Sequence, residues 1–140
     1  MLRAMRTATE KLIRAYYDRF NARDVEGFLA LLSPDVVHEI SQGGREKGRA
    51  AFRRFLLHMN ECYRERVRNL AIMATRDGRR AAAEFDLTGT YLKTDGTLPK
   101  ARGQRYRLRV GAFFVVKRGR IARVSNHYNM ADWLRQVGAR

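Results

Sequence analysis

Apolar positions recur along the chain first at helical spacing and then at strand spacing. Leu12, Ile13, Tyr16, Tyr17 and Phe20 share one helical face. Ahead of them, Thr7-Ala8-Thr9-Glu10 has the spacing of a capping box and predicts the helix start. Residues 21–24 break this helix. Asp24 is placed to cap a second one carrying Val25, Phe28, Leu29, Leu31 and Leu32, which stops at Ser33-Pro34. A first strand is expected to about Ser41. The glycine-rich segment 42–48 lacks the Gly-Lys-Ser/Thr ending of a phosphate loop and reads as a turn. A third helix is predicted over about 49–63, with Ala51, Phe52, Phe55, Leu56, Met59 and Cys62 on its buried side. Three long strands follow, over about 66–75, 80–92 and 104–117, the first two joined by an Asp77-Gly78 hairpin turn. Arg118-Gly119 then leads into a last strand ending near Asn129, and an amphipathic tail over 130–137 returns Trp133 and Leu134 to the body.

Leading helices and trailing hairpins imply an α+β fold, a cone-shaped curved antiparallel sheet wrapped on N-terminal helices, in one domain over 1–140. Such a cone encloses a pocket. Residues 110–116 are apolar at every position, so that strand is expected to be covered on both faces. With helices on one face only, a second copy of the chain is the economical cover, and a two-fold homodimer is expected. Gly111 is placed to mark a bulge.

Composition narrows the partners. The formal net charge is +15, and 24 of the 29 basic residues are arginine, spread over every element. Nucleic-acid readers cluster basic side chains with aromatics or carry a known module; neither pattern occurs, so nucleic acid is not an expected partner. No stretch of about 18 apolar residues is present, and the first residues lack the apolar core of a secretory signal, so a cytoplasmic protein without a membrane span is expected. The single cysteine, Cys62, excludes an intrachain disulfide and reads as a packing residue. His38, His58 and His127 lie on separate elements without metal-ligand spacing, and no dinucleotide or flavin motif occurs. Neither a metal nor a cofactor is expected. Glu84 and Asp86 alternate on one strand as Arg105, Arg107 and Arg109 do on the next, which predicts cross-strand ion pairs.

Several segments resemble the nuclear transport factor 2-like superfamily, in its steroid delta-isomerase-related and SnoaL-like polyketide cyclase branch. They are Tyr16 with Phe20-Asn21-Ala22-Arg23-Asp24, Leu31-Leu32-Ser33-Pro34-Asp35-Val36-Val37, Gly48-Arg49-Ala50-Ala51-Phe52, Gly119-Arg120-Ile121, and Tyr128-Asn129 through Gln136-Val137-Gly138. The resemblance implies a pocket for a small apolar carbonyl compound and cofactor-free proton transfer, as isomerisation or cyclisation. Ketosteroid isomerase uses an Asp base with a Tyr and a protonated Asp as oxyanion donors. Carried across, the Tyr is Tyr16, but the base position falls on Ile40 and the protonated-acid position on Gly111.

In the register implied by that resemblance, Val36, His38 and Ile40 face the cavity while Glu39 faces away. His38 then replaces the lost base beside Tyr16, and a slip of one residue would bring in Glu39 instead. Asn126 and Tyr128 are expected to orient the ligand, Ile40 and Phe113 to line its site, and Gln42 to reach the rim. His127 is expected to face outward, and only one of Tyr16 and Tyr17 to enter the cavity. A non-catalytic binding or assembly module is the first competing reading, and an anion or nucleic-acid binder drawing on the arginine surface is the second.

Overall fold

The structure, a computed structural model, describes residues 1–138. In chain order it contains α1 (Leu2–Ala22), α2 (Val25–Ala30), β1 (Leu32–Glu39), β2 (Arg45–Lys47), α3 (Arg49–Cys62), β3 (Tyr63–Ala74), β4 (Arg80–Tyr91), β5 (Arg105–Lys117), β6 (Arg120–His127) and α4 (Met130–Gly138). The strands form one sheet in the order β2-β1-β6-β5-β4-β3. All neighbours are antiparallel except β1 and β6, which run parallel. This is the expected α+β architecture with helices leading and hairpins following.

Three local expectations are corrected. The first helix starts at Leu2, so Thr7–Glu10 lies inside it. Thr9 is buried, and its hydroxyl donates to the Gly78 carbonyl at 2.6 Å, a contact between α1 and the β3–β4 turn rather than a cap. Gly78 has φ +71°, and a Cβ there would stand 2.6 Å from the Met5 carbonyl oxygen, so the close approach of α1 requires glycine. The first strand begins earlier than expected, at Leu32, and contains Pro34. Its pairing with β6 is interrupted between Leu32 and Val37, so the missing Pro34 N–H breaks no ladder bond. Finally, the β4–β5 register runs unbroken past Gly111, whereas β3 shifts between Arg68 and Ala71, where Asn69 adopts φ +55°. The bulge therefore sits in β3 and bends it.

Alternation decides what faces inward. Along β5, Tyr106, Leu108, Val110, Ala112, Phe114 and Val116 are buried, while Arg105, Arg107, Arg109 and Phe113 point out. The inward residues meet Ile13, Tyr16 and Tyr17 of α1, Phe28 of α2, Phe52 and Leu56 of α3 and Trp133 of α4 in one apolar core. The expected ion pairs occupy the outer face: Arg109 reaches Glu84 at 3.0 Å and Asp86 at 3.2 Å, and Arg107 reaches Asp86 at 3.1 Å. Exposed pairs of this kind add little stability, because water and salt screen them. Among the described residues, no helix is long and apolar enough to cross a membrane.

Two amide side chains tie helices to unpaired strand backbone. Asn21 at the end of α1 donates to the Val67 carbonyl at 3.1 Å and accepts from the Val67 N–H at 2.8 Å, standing in for a strand beside edge strand β3. Gln136 of α4 does the same for Arg107 of β5, with both bonds at 2.8 Å. Val67 is buried, so removing its amide partner leaves two peptide groups poorly satisfied. Asn21→Ala is expected to lower stability by about 1–3 kcal/mol in urea titrations. A change under a few tenths would mean that water replaces the amide without loss.

Candidate functional site

Strands β1 and β3, far apart in the sheet order, line one cavity of about 260 Å³. His38 and Ile40 come from one side, and Glu65 and Val67 from the other. Phe85, Leu87, Leu108, Val110, Asn126 and Tyr128 form the floor between them, and the helices close the space with aromatic and aliphatic side chains. Both Tyr16 and Tyr17 line it, because α1 lies across the concave face and neighbouring residues both turn toward it. An apolar cavity of about 150 Å³ takes up benzene. The larger space here fits a molecule of roughly one to two rings.

His38 points inward as expected and is 2% exposed. Its ring stacks on Phe52 at 4.1 Å and meets the edge of Phe55 at 4.6 Å. Its Nδ1 is buried and has no hydrogen-bond partner among the described residues. Burial in this apolar setting pushes its pKa down to about 4, so the imidazole is neutral at physiological pH. His38 and Tyr16 both line the cavity, and ring contacts run from Tyr16 to Phe28, Phe28 to Phe52 and Phe52 to His38. Tyr16 itself has its pKa raised by burial and remains a neutral phenol. The Tyr17 hydroxyl is buried and unpartnered, and burial followed by the neighbouring Tyr16 raises its pKa well above the usual value.

The opposite wall carries a group that the sequence pattern did not bring forward. Glu65 lies on β3, opposite Gly89 of β4, which in turn lies opposite Tyr106 of β5. The Tyr106 ring crosses the bare glycine, and its hydroxyl donates to Glu65 at 2.6 Å. A Cβ on residue 89 would stand 2.3 Å from that ring, so only glycine leaves the path open. Burial raises the Glu65 pKa to about 7, against the lowering effects of the Tyr106 hydrogen bond and the Arg23 charge. Near neutrality this carboxyl is therefore divided between acid and base. Strand alternation held the clue, since Tyr63, Glu65 and Val67 share one face and two of the three are apolar. The strand was expected to begin only at about residue 66.

Of the residues expected at the site, Tyr16, His38, Ile40, Asn126 and Tyr128 line the cavity. Three others lie elsewhere. Glu39 points to the opposite face of β1, as the in-register reading requires, and borders a hollow on the outer face of the sheet. Phe113 also faces outward and is 53% exposed, because β5 runs without a bulge and keeps odd-numbered residues outside. Gln42 is exposed in the turn after β1, where φ +59° carries the chain away from the rim. His127 faces outward and pairs with Ser125 at 2.6 Å. At the cavity edge, Asp95 accepts from Tyr63 at 2.7 Å and contacts His58 Nε2 at 2.7 Å.

His38 and Glu65 pull stability in opposite directions with pH. The His38 pKa is lowered on folding, so its contribution is complete above about 6.5 and is lost as pH falls toward 4. The Glu65 pKa is raised, so its contribution is complete below about 4.5 and is lost as pH rises through 7. In the shared window the two slopes oppose each other. Urea midpoints of Glu65→Gln relative to the parent are expected to rise with pH between 4.5 and 7, and those of His38→Phe to fall between 4 and 6.5. Differences that are flat with pH would show that neither group titrates as its burial implies.

The comparisons with known proteins agree with this architecture. The SnoaL-like domain model matches residues 13–124. A Pseudomonas putida KT2440 structure, provisionally described as a polyketide cyclase, is 55% identical with a TM-score of 0.90, covering 93% of this chain and 97% of that one. A provisional ketosteroid isomerase from Kribbella flavida DSM 17836 is 31% identical with a TM-score of 0.63, covering 88% of this chain and 78% of that one. A Burkholderia pseudomallei K96243 protein described as NTF2-like shares the fold at 21% identity, with a TM-score of 0.80 and coverage of 94% and 98%. The search of curated proteins found no match. With the inward-facing strands, the enclosed cavity and a family match over most of its length, the chain belongs to the SnoaL-like domain family.

Proposed function

We propose that this protein binds a small, mainly apolar carbonyl compound and moves a proton on it without a cofactor, as isomerisation or cyclisation requires. The observation that carries this reading is Glu65, a carboxyl with pKa about 7 on the wall of an apolar, ligand-sized cavity. A base of that strength is suited to proton transfer at neutral pH. His38, with pKa about 4, is a weaker base and serves better as a neutral hydrogen-bonding group. The ionised Glu65 would take a proton from the carbon next to the carbonyl while the C–H electron pair moves onto oxygen as an enolate. Neutral phenols on the same cavity wall, Tyr16 and Tyr17, would donate to that oxygen. The protonated Glu65 would then return its proton to carbon, and Asn126 and Tyr128 would orient the ligand. The provisional names of the relatives support the substrate class.

The test is exchange of α-protons for deuterium in one- and two-ring ketones, followed by NMR. Exchange by the parent protein is expected to rise with pH to a plateau above about 7. Glu65→Gln should slow it by about 10²–10⁴-fold while leaving ketone binding nearly unchanged. A panel of ketones that bind without accelerated exchange would favour the binding-module reading instead.

We also propose that the protein is a homodimer joined through the outer face of the sheet. Phe113 and Met73 are about half exposed there and border a hollow of about 500 Å³ with Glu39, Arg123 and Ser125. Light scattering at micromolar concentration should give twice the chain mass, and Phe113→Lys should return it to one. A monomeric parent would end this proposal.

A further inference from the structure

Cys62 and His58 stand one turn apart on the last turn of α3, and the β4–β5 loop brings Asp95 to the same point. One ligand atom from each, Cys62 Sγ, His58 Nε2 and an Asp95 carboxylate oxygen, fall within 4.8 Å of one another. Cys62 Sγ is 3.9 Å from His58 Nε2, and Asp95 Oδ1 is 2.7 Å from the same nitrogen. That convergence separates the cluster from a nucleophile triad. In a triad the thiol and the carboxylate take opposite nitrogens of the imidazole. Here both address Nε2, as ligands around one centre do.

We propose that His58, Cys62 and Asp95 form a binding site for a divalent ion of the zinc class, with a fourth position open to solvent. Ligand atoms around a tetrahedral zinc stand roughly 3.3–3.6 Å apart, given bonds of about 2.0 Å to nitrogen and oxygen and 2.3 Å to sulfur. The cluster brackets that spacing. The Asp95–His58 contact must open by roughly half an ångström, the Cys62–His58 contact close by less, and the Cys62–Asp95 separation, within 4.8 Å, close by at most roughly 1.3 Å. Sulfur, imidazole and carboxylate together suit zinc better than magnesium or calcium, which favour oxygen alone.

The surroundings hold the three ligands in place. The two α3 residues are fixed by helical spacing. The loop is tied to the helix end by the Leu92 and Lys93 N–H groups, which donate to the Cys62 carbonyl at 2.8 and 3.2 Å. The Asp95 N–H donates to the Tyr91 hydroxyl at 3.0 Å, and Tyr63 donates to Asp95 Oδ2 at 2.7 Å, leaving Oδ1 for the ion. Tyr63 therefore acts as the outer partner that orients a ligating carboxylate. His58 is about half exposed, which gives the ion a way in, while Cys62 is buried beneath it. A thiol binds such an ion as its thiolate, so binding releases a proton to solvent. The ion would pin the loop carrying Leu98 and Asp95, both on the cavity wall, to α3.

The test titrates chelator-treated protein with Co²⁺ alone, then displaces it with Zn²⁺, and needs no ketone. One equivalent is expected to bind with visible d–d bands and a near-ultraviolet thiolate charge-transfer band, with proton release in weakly buffered solution. Cys62→Ser should abolish the charge-transfer band. His58→Ala, at an exposed position that leaves the core intact, should weaken binding by more than tenfold, and Tyr63→Phe by about tenfold. Cobalt that binds without a thiolate band, or with equal affinity to the His58 variant, would place the ion elsewhere and overturn the assignment. Failure to bind cobalt or zinc at micromolar concentration would overturn it as well. Neither result bears on proton transfer by Glu65.

Discussion

Curling a six-stranded sheet until β1 and β3 face one cavity leaves backbone groups without strand partners, and the rest of the molecule depends on how these are met. Asn21 and Gln136 meet two of these demands. Each offers a donor and an acceptor at the separation of a peptide group, and each sits where its helix abuts the sheet. A buried peptide group without a partner costs about as much as a lost hydrogen bond. These amides therefore fix α1 against β3 and α4 against β5. The first holds Tyr16 and Tyr17 over the wall that carries Glu65; the second brings Trp133 against the same end of the cavity, where its ring meets Tyr63, Tyr91 and Tyr106.

Within that enclosure, low polarity acts with opposite sign on the two titratable groups across the cavity. It penalises charge in either, so the imidazole loses basicity and the carboxyl gains it. What differs is their company. His38 is held between phenyl rings with one nitrogen unpartnered, whereas Glu65 has a phenol donating to it and Arg23 nearby. The same apolar lining makes one side chain a fixed neutral surface and the other a group that changes charge near neutrality.

Most of the fold was legible because helical and strand periodicities are local properties. Alternation places His38 and Ile40 on one face of β1, and the family resemblance supplies which face is inward. The cavity faces of Asn126 and Tyr128 followed in the same way. What failed depended on relations between strands. Residues 110–116 are uniformly apolar and carry no sign of which face is inside, so the outward placement of Phe113 is not legible there. The bulge was sought at Gly111, although it lies at Asn69, a residue whose φ of +55° no apolar pattern reports. Glu65 escaped notice through a strand start misjudged by three residues, which left its two apolar neighbours on the same face uncounted. The meeting of His58 and Cys62 with Asp95 needed the path of a loop, and spacing along the chain does not encode that.

Gly89 contributes no side chain to the cavity, yet it controls the chemistry of a residue on the next strand. Because the Tyr106 ring passes over it, the strength of the Tyr106–Glu65 bond is set by the emptiness of position 89. A single methyl group there would displace the phenol, remove an interaction that holds the Glu65 pKa down, and keep the carboxyl protonated to higher pH. The protonation of the pocket carboxyl thus depends on a missing atom, one strand from the phenol's own hydrogen-bond partner and outside any inventory of polar residues.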